Sequence, residues 1–306
     1  MDIDLFFQDL DAKFAAGDKK HISDFLAQSL NKADAEKDFN AVVTILNEMT
    51  GFYRSISAHK AAIKAGDQAI AVLRSLGYEN TVPFGTTLLN AGTAHRAAGD
   101  NVRALELFTG ALAILSHHLS EDDYQLAGVY NNASAIYEEL GQYDEALENL
   151  EKAASILQRQ QGMEVDAATV TTNLALVLLK MGRDSEATQK LEQTLEMFKQ
   201  AQAETSGPHY GAALAGMAEA FYRMKRYSEA VDIYQSALSY IKAAVGENAD
   251  YALTLRNCAV ACEALGETEK AEKLMLKANE ILTALGMDPA LPGDHPKQDE
   301  EVTPVQ

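Results

Sequence analysis

Asparagine recurs in this chain at Asn90, Asn132, Asn173 and Asn257, at intervals of 42, 41 and 84 residues, the last being twice the first. Each lies in a stretch whose apolar residues return at helical spacing. Asparagine is a mediocre choice there, because its side chain competes for backbone hydrogen bonds. A carboxamide both donates and accepts, so it can match a peptide unit. The row can instead bridge successive helices of a stack, and spacing alone leaves both roles open. Two arginines, Arg54 and Arg96, are also 42 apart and stand near Asn47, Asn90 and Thr93. Facing one way, they form a small anion-accepting patch for a carboxylate or acidic side chain. As solvated cations at helix C-termini they would be explained by the macrodipole alone.

Little else in the chain could do chemistry. There is no phosphate-cradling glycine loop, no His-Glu-x-x-His helix and no Gly-x-Ser-x-Gly elbow. Cys258 and Cys262 are four apart, a spacing that suits two metal ligands on one helix face, but no third ligand lies at compatible spacing. Both occupy repeat positions that are apolar elsewhere, so packing as small hydrophobes is expected. Adjacent His117 and His118 point in different directions on a helix and read as a solvated surface. His95 replaces an aromatic at a packing position and reads as a satisfied core residue. No enzymatic activity, metal or cofactor is expected, since catalysis needs convergent groups of tuned protonation and none are apparent.

The elements that must carry these residues follow from a second periodicity. Alanine recurs at Ala62, Ala104, Ala146, Ala187, Ala230 and Ala271, each followed seven residues later by Ala69, Ala111, Ala153, Thr194, Ala237 or Ala278. Seven residues is two helical turns, so each pair forms one stripe where another helix can approach closely. Five residues before each first alanine stands Ser57, Gly99, Gly141, Gly182, Lys225 or Gly266. Glycine is common just past a helix end, because it enters the left-handed region without steric cost. Helix, turn and helix, repeated six times, describes an all-α solenoid of antiparallel hairpins.

The pattern resembles the tetratricopeptide repeat, in the longer form of about 42 residues seen in kinesin light chains and many bacterial regulators. The resemblance covers roughly residues 40 to 285 and extends to a group of bacterial tetratricopeptide proteins of about this length. The family's small residue, seven before the turn, corresponds to Thr50, Gly92, Ser134, Ala175, Ala218 and Ala259. Its aromatic, four before the turn, is met by Tyr53, Tyr137 and Phe221, whereas His95, Leu178 and Cys262 depart. The bulky residue between the alanines is Phe108, Leu150, Leu191, Tyr234 and Met275, but Gly66 in the first copy. The resemblance implies a right-handed superhelix whose first helices line a concave face. It also implies that asparagines nine before the turn bond the backbone of a bound extended peptide.

Residues 1–38, with Ile3, Phe6, Phe7, Leu10 and Phe14 before Gly17-Asp18 and Ile22, Phe25, Leu26 and Leu30 after it, read as a degenerate capping hairpin. Six repeats are expected over 39–286, joined by connections too short for domain linkers. Four of six prolines fall in 287–306, which reads as a disordered tail. With 26 basic and 45 acidic residues the chain carries −19, which repels phosphate backbones and argues against nucleic acid. No apolar run is long enough to span a membrane. Met1-Asp2-Ile3-Asp4 is acidic where a signal peptide is basic, and two cysteines make no disulfide framework, so a cytoplasmic location is expected. The first helices balance Glu48, Glu138, Glu139, Glu219 and Glu263 against Arg54, Arg96, Lys180, Arg223 and Arg256, a near-neutral lining in an acidic protein.

The expected function is a non-catalytic adaptor or regulator that binds a protein or peptide along the concave groove, through Asn47, Asn90, Asn132, Asn173, Asn257, Arg54 and Arg96. The alternative is an intracellular receptor for a small signalling peptide, of the quorum-sensing type, acting through a partner protein.

Overall fold

The computed structural model describes residues 1–16, 19–201, 208–285 and 287, with their side chains except at 15, 16, 19, 197–201, 208 and 209. The described residues form fourteen helices and no strand. They group into two compact units, Met1–Arg159 and Gln160–Gln306. The first holds α1 (Ile3–Ala16), α2 (Lys19–Ala35), α3 (Phe39–Ser55), α4 (His59–Ser75), α5 (Val82–Ala97), α6 (Asn101–His118), α7 (Tyr124–Glu139) and α8 (Tyr143–Leu157). The second holds α9 (Glu164–Lys180), α10 (Asp184–Ala201), α11 (Pro208–Arg223), α12 (Tyr227–Val245), α13 (Ala249–Ala264) and α14 (Thr268–Ala284). The expected tail lies, apart from Met287, outside the described residues, as does the expected break at Gly17-Asp18.

All six expected turns lie between a first and a second helix, and all six turn residues have positive φ, from 58° at Ser57 to 82° at Gly99. The reason is a shared hydrogen-bond closure. Gly99 donates its amide to the Arg96 carbonyl at 2.9 Å and Asp100 donates to the His95 carbonyl at 3.0 Å, which satisfies two orphan carbonyls of α5. The same pair of bonds closes the other five turns. Ser57 and Lys225 make this turn without glycine's freedom, so the repeat and not the residue type marks them. Helix starts are fixed by side-chain caps, with Asp38 accepting from Ala41, Asp100 from Arg103 and Asn248 from Tyr251.

The alanine stripes are where the hairpins close. Ala62, Ala104, Ala146, Ala187 and Ala230 are fully buried, as are Ala69, Ala111, Ala153, Ala237 and Ala278. Within a hairpin, small and large residues trade places. In α3–α4, Gly66 faces Thr50, whose methyl lies 3.6 Å from where a Gly66 Cβ would be, and the backbone of Ala91 approaches to 3.1 Å. In α5–α6 the sizes reverse: Phe108 fills the space, and a Cβ on Gly92 would lie 2.5 Å from its ring. The departure of Gly66 from the bulky residue of other copies is thus compensated by close helix approach.

At the N-terminal end, Phe6 and Leu10 of α1 and Ile22 and Leu26 of α2 join one core cluster with Ile45, Leu46 and Phe52 of α3. The Phe6 and Phe25 rings stack at 5.6 Å, and Phe14 meets Phe52 edge-on at 6.0 Å. Among the described residues, no helix is long and apolar enough to cross a membrane.

Candidate binding face on the first helices

In the first unit, α3, α5 and α7 are neighbours, each the leading helix of its hairpin. Their polar side chains meet across that seam. Asn90 of α5 donates from Nδ2 to Oδ1 of Asn47 on α3 at 3.0 Å, and Asn47 donates in turn to the Thr87 hydroxyl of α5 at 3.0 Å. Thr87 is one helical turn before Asn90, so two residues of α5 grip one carboxamide of α3. Thr86 extends the link, donating to Oε1 of Gln125 on α7 at 2.9 Å. Asn47 and Asn90 are half-buried, and their bonding to each other is the bridging role that spacing left open. A carboxamide has more donor and acceptor sites than these bonds use.

Arg54 and Arg96 stand at equivalent positions in the last turns of α3 and α5, the two helices that this ladder joins. Burial first, and repulsion from Arg96 second, pull the Arg54 guanidinium below its ordinary pKa although much of its side chain meets solvent. Arg96 is half-buried, and its Nε is shielded from solvent without a hydrogen-bond partner. Among the described residues neither arginine has an ion-pair partner. Repulsion between two unpaired cations costs free energy, and an anion bound beside them would offset that cost. Glu48, which takes the asparagine's place in the first copy, is half-buried, and burial, reinforced by Asp11 of α1, raises its pKa.

The remaining asparagines behave differently. Asn132 of α7 turns back on its own helix, donating to the Gly128 carbonyl at 2.8 Å. In the second unit Asn173 is half-buried and engaged, while Asn257 of α13 is half-buried with no side-chain hydrogen bond among the described residues. Thr87, Thr86 and Gln125 were not singled out from the sequence. Thr87 could have been found as the hydroxyl one turn from Asn90. Cys258 and Cys262 are fully buried in α13, and burial together with the adjacent Cys262 pushes the Cys258 thiol up to about 12, as expected of packed thiols. Among the described residues no group of three or more His, Cys, Asp or Glu side chains is placed to hold a metal ion.

A family model for the tetratricopeptide repeat matches residues 83–159, 125–200 and 209–284. Kinesin light chain-related protein 3 of Arabidopsis thaliana is 24% identical over 225 residues, which span 73% of this chain and 34% of that protein. The chain spans about a third of the length of the curated relatives it matches. The apo form of RapI superposes with a TM-score of 0.64 at 13% identity, covering 92% of this chain and 98% of that one. The Rap conjugation gene regulator of plasmid pLS20, in complex with the Phr* peptide, gives 0.53 at 13% identity, covering 80% and 75%. At such identities the likeness to solved structures shows the fold alone. The repeated left-handed turns, the buried small-residue stripes and the three matched stretches agree, and the chain belongs to the tetratricopeptide repeat family.

Proposed function

We propose that this chain is a non-catalytic adaptor or regulator that binds an extended protein segment or peptide through the first-helix face. The carrying observation is the Asn47–Asn90–Thr87 ladder between α3 and α5, with Arg54 and Arg96 on the same two helices, repelling one another and without a counter-ion among the described residues. In this reading the arginines take an acidic side chain or terminal carboxylate, and the free edges of the carboxamides bond the backbone. Within the second unit, Asn173 and Asn257 hold the equivalent position on the first helices α9 and α13 and would offer their carboxamides in the same way.

The test is selection from a randomised peptide library displayed on phage, comparing the intact chain with an Arg54→Glu, Arg96→Glu variant. Acidic peptides enriched by the intact chain and lost with the variant support the reading. No enrichment, or equal enrichment by both, contradicts it.

The likeness to a Rap regulator solved with the Phr* peptide supports the second reading, a receptor for a small signalling peptide that acts through a partner protein. Small-angle scattering separates the two: compaction on adding a short peptide favours the receptor, and an unchanged profile favours the adaptor.

A further inference from the structure

His95 stands four residues before the Gly99 turn, where other hairpins carry Tyr53, Tyr137 and Phe221. Its side chain is only 8% exposed and lies between two carboxylates. Nδ1 is 3.0 Å from Oδ2 of Asp100, the residue that closes the α5 turn and caps α6, while Nε2 is 3.5 Å from Oδ1 of Asp67 on α4. Nε2 is shielded from solvent, and no hydrogen bond of normal geometry reaches it. The satisfied core histidine expected from the sequence is therefore satisfied at one nitrogen only.

A neutral imidazole carries one N–H, so it can donate to one carboxylate while turning a lone pair toward the other. An imidazolium donates to both. Asp67 belongs to the hairpin α3–α4 and Asp100 to α5–α6, so a doubly donating ring ties two successive hairpins, whereas a neutral ring ties only its own. We infer that His95 is a proton-operated clamp between these hairpins, closed onto Asp67 when the ring is charged and released when it is neutral.

The helices packed around α5 carry further ionisable groups, among them Glu48, Tyr53 and Arg54 on α3, Lys60 and Lys64 on α4, Arg103 and Glu106 on α6, and Tyr137, Glu138 and Glu139 on α7, with Arg96 on α5 itself. Arg103 supports the clamp through its amide, which donates to Asp100 at 3.3 Å, while its guanidinium pairs with Glu106 at 2.9 Å. The hydrogen bond from His95, followed by that amide, holds the Asp100 carboxyl below its ordinary value of 3.8. The stability that Asp100 contributes through these bonds is lost only as pH falls through that lowered value. The device acts next to Arg96, but it does not depend on the binding reading.

The experiment is urea denaturation of the full chain from about pH 8 to about pH 5.5, the interval that brackets ordinary imidazole titration. Three chains are compared: the intact protein, Asp67→Asn and His95→Phe. On acidification the intact protein should gain roughly tenfold in its folding equilibrium constant over Asp67→Asn, the scale of one charge-assisted hydrogen bond to a half-exposed carboxylate. His95→Phe restores the aromatic of other repeats and should lack the same acid-side gain. If His95→Phe fails to fold, the Asp67→Asn comparison decides alone, because that side chain is 49% exposed and its replacement leaves the packing intact. Parallel pH profiles for the intact chain and Asp67→Asn would overturn the clamp.

Discussion

Asn90 donates a hydrogen bond of 3.0 Å to Asn47, a residue 43 positions earlier and one hairpin away. The bond crosses the seam between two first helices, so truncating either residue should weaken the stack itself. Asn90→Ala should cost about 1–2 kcal/mol, and a double-mutant cycle with Asn47→Ala should show coupling of about 0.5–1.5 kcal/mol, read from urea denaturation. Asn132→Ala should change stability by less than about 0.5 kcal/mol, because its carboxamide bonds its own helix and alanine is the better helix former. Equal losses at Asn90 and Asn132 would show that the seam bond contributes nothing particular.

Gly92 is held small by the Phe108 ring. A Cβ there would lie 2.5 Å and 2.7 Å from ring atoms of a fully buried side chain. Gly92→Ala should therefore destabilise by about 1–3 kcal/mol in spite of alanine's better helix propensity. Adding Phe108→Leu should recover part of that loss. A stabilising Gly92→Ala in thermal melts would contradict the packing described.

The two turns without glycine carry backbone strain that glycine would relieve. Lys225→Gly and Ser57→Gly should each raise stability by up to about 1 kcal/mol, while Gly99→Ala should lower it by about 1 kcal/mol or more. Side chains at these φ values strain the folded state, while glycine loosens the unfolded one, so the gain is the smaller effect. The opposite signs at equivalent positions make the comparison decisive in a single set of melts.

The hairpin plan was legible because it is written six times in phase. Ser57 and Lys225 hold turns that only the repeat phase marks, since neither is glycine. Which partner each asparagine takes was not legible. Asn90 and Asn132 share a repeat position, yet one reaches across a seam and the other folds back. The difference lies in what the preceding first helix offers: Asn47 stands ready for Asn90, whereas Asn132 finds its acceptor in the Gly128 carbonyl of its own helix. The Asp67–His95–Asp100 arrangement was not legible either, since Asp67 sits exposed on a second helix, away from the repeat positions that the alanine pattern marks.

Glu48 gives a pH signature of its own. Its pKa is raised above 4.5 in the folded chain, by burial first and by Asp11 second, so its ionised form opposes folding. The penalty begins as pH rises past the ordinary value of 4.5, grows until the folded value is passed and stays constant above it. Glu48→Gln should accordingly raise the melting temperature near neutral pH and have no such effect below the ordinary carboxyl value. A benefit that persists undiminished into acid would assign the effect to packing and not to charge.

The central claim is that Arg54 and Arg96 await an anionic polypeptide, and a binding titration tests it most directly. One acidic peptide recovered from the library selection is titrated against the intact chain, Arg54→Gln, Arg96→Gln and the double variant, at low and high salt. The account predicts a loss of about tenfold in affinity for each single change, the scale of one charge-assisted contact, with binding weakened by salt in the intact chain and less so in the double variant. Affinities unchanged across all four chains, with the same salt dependence, would contradict it.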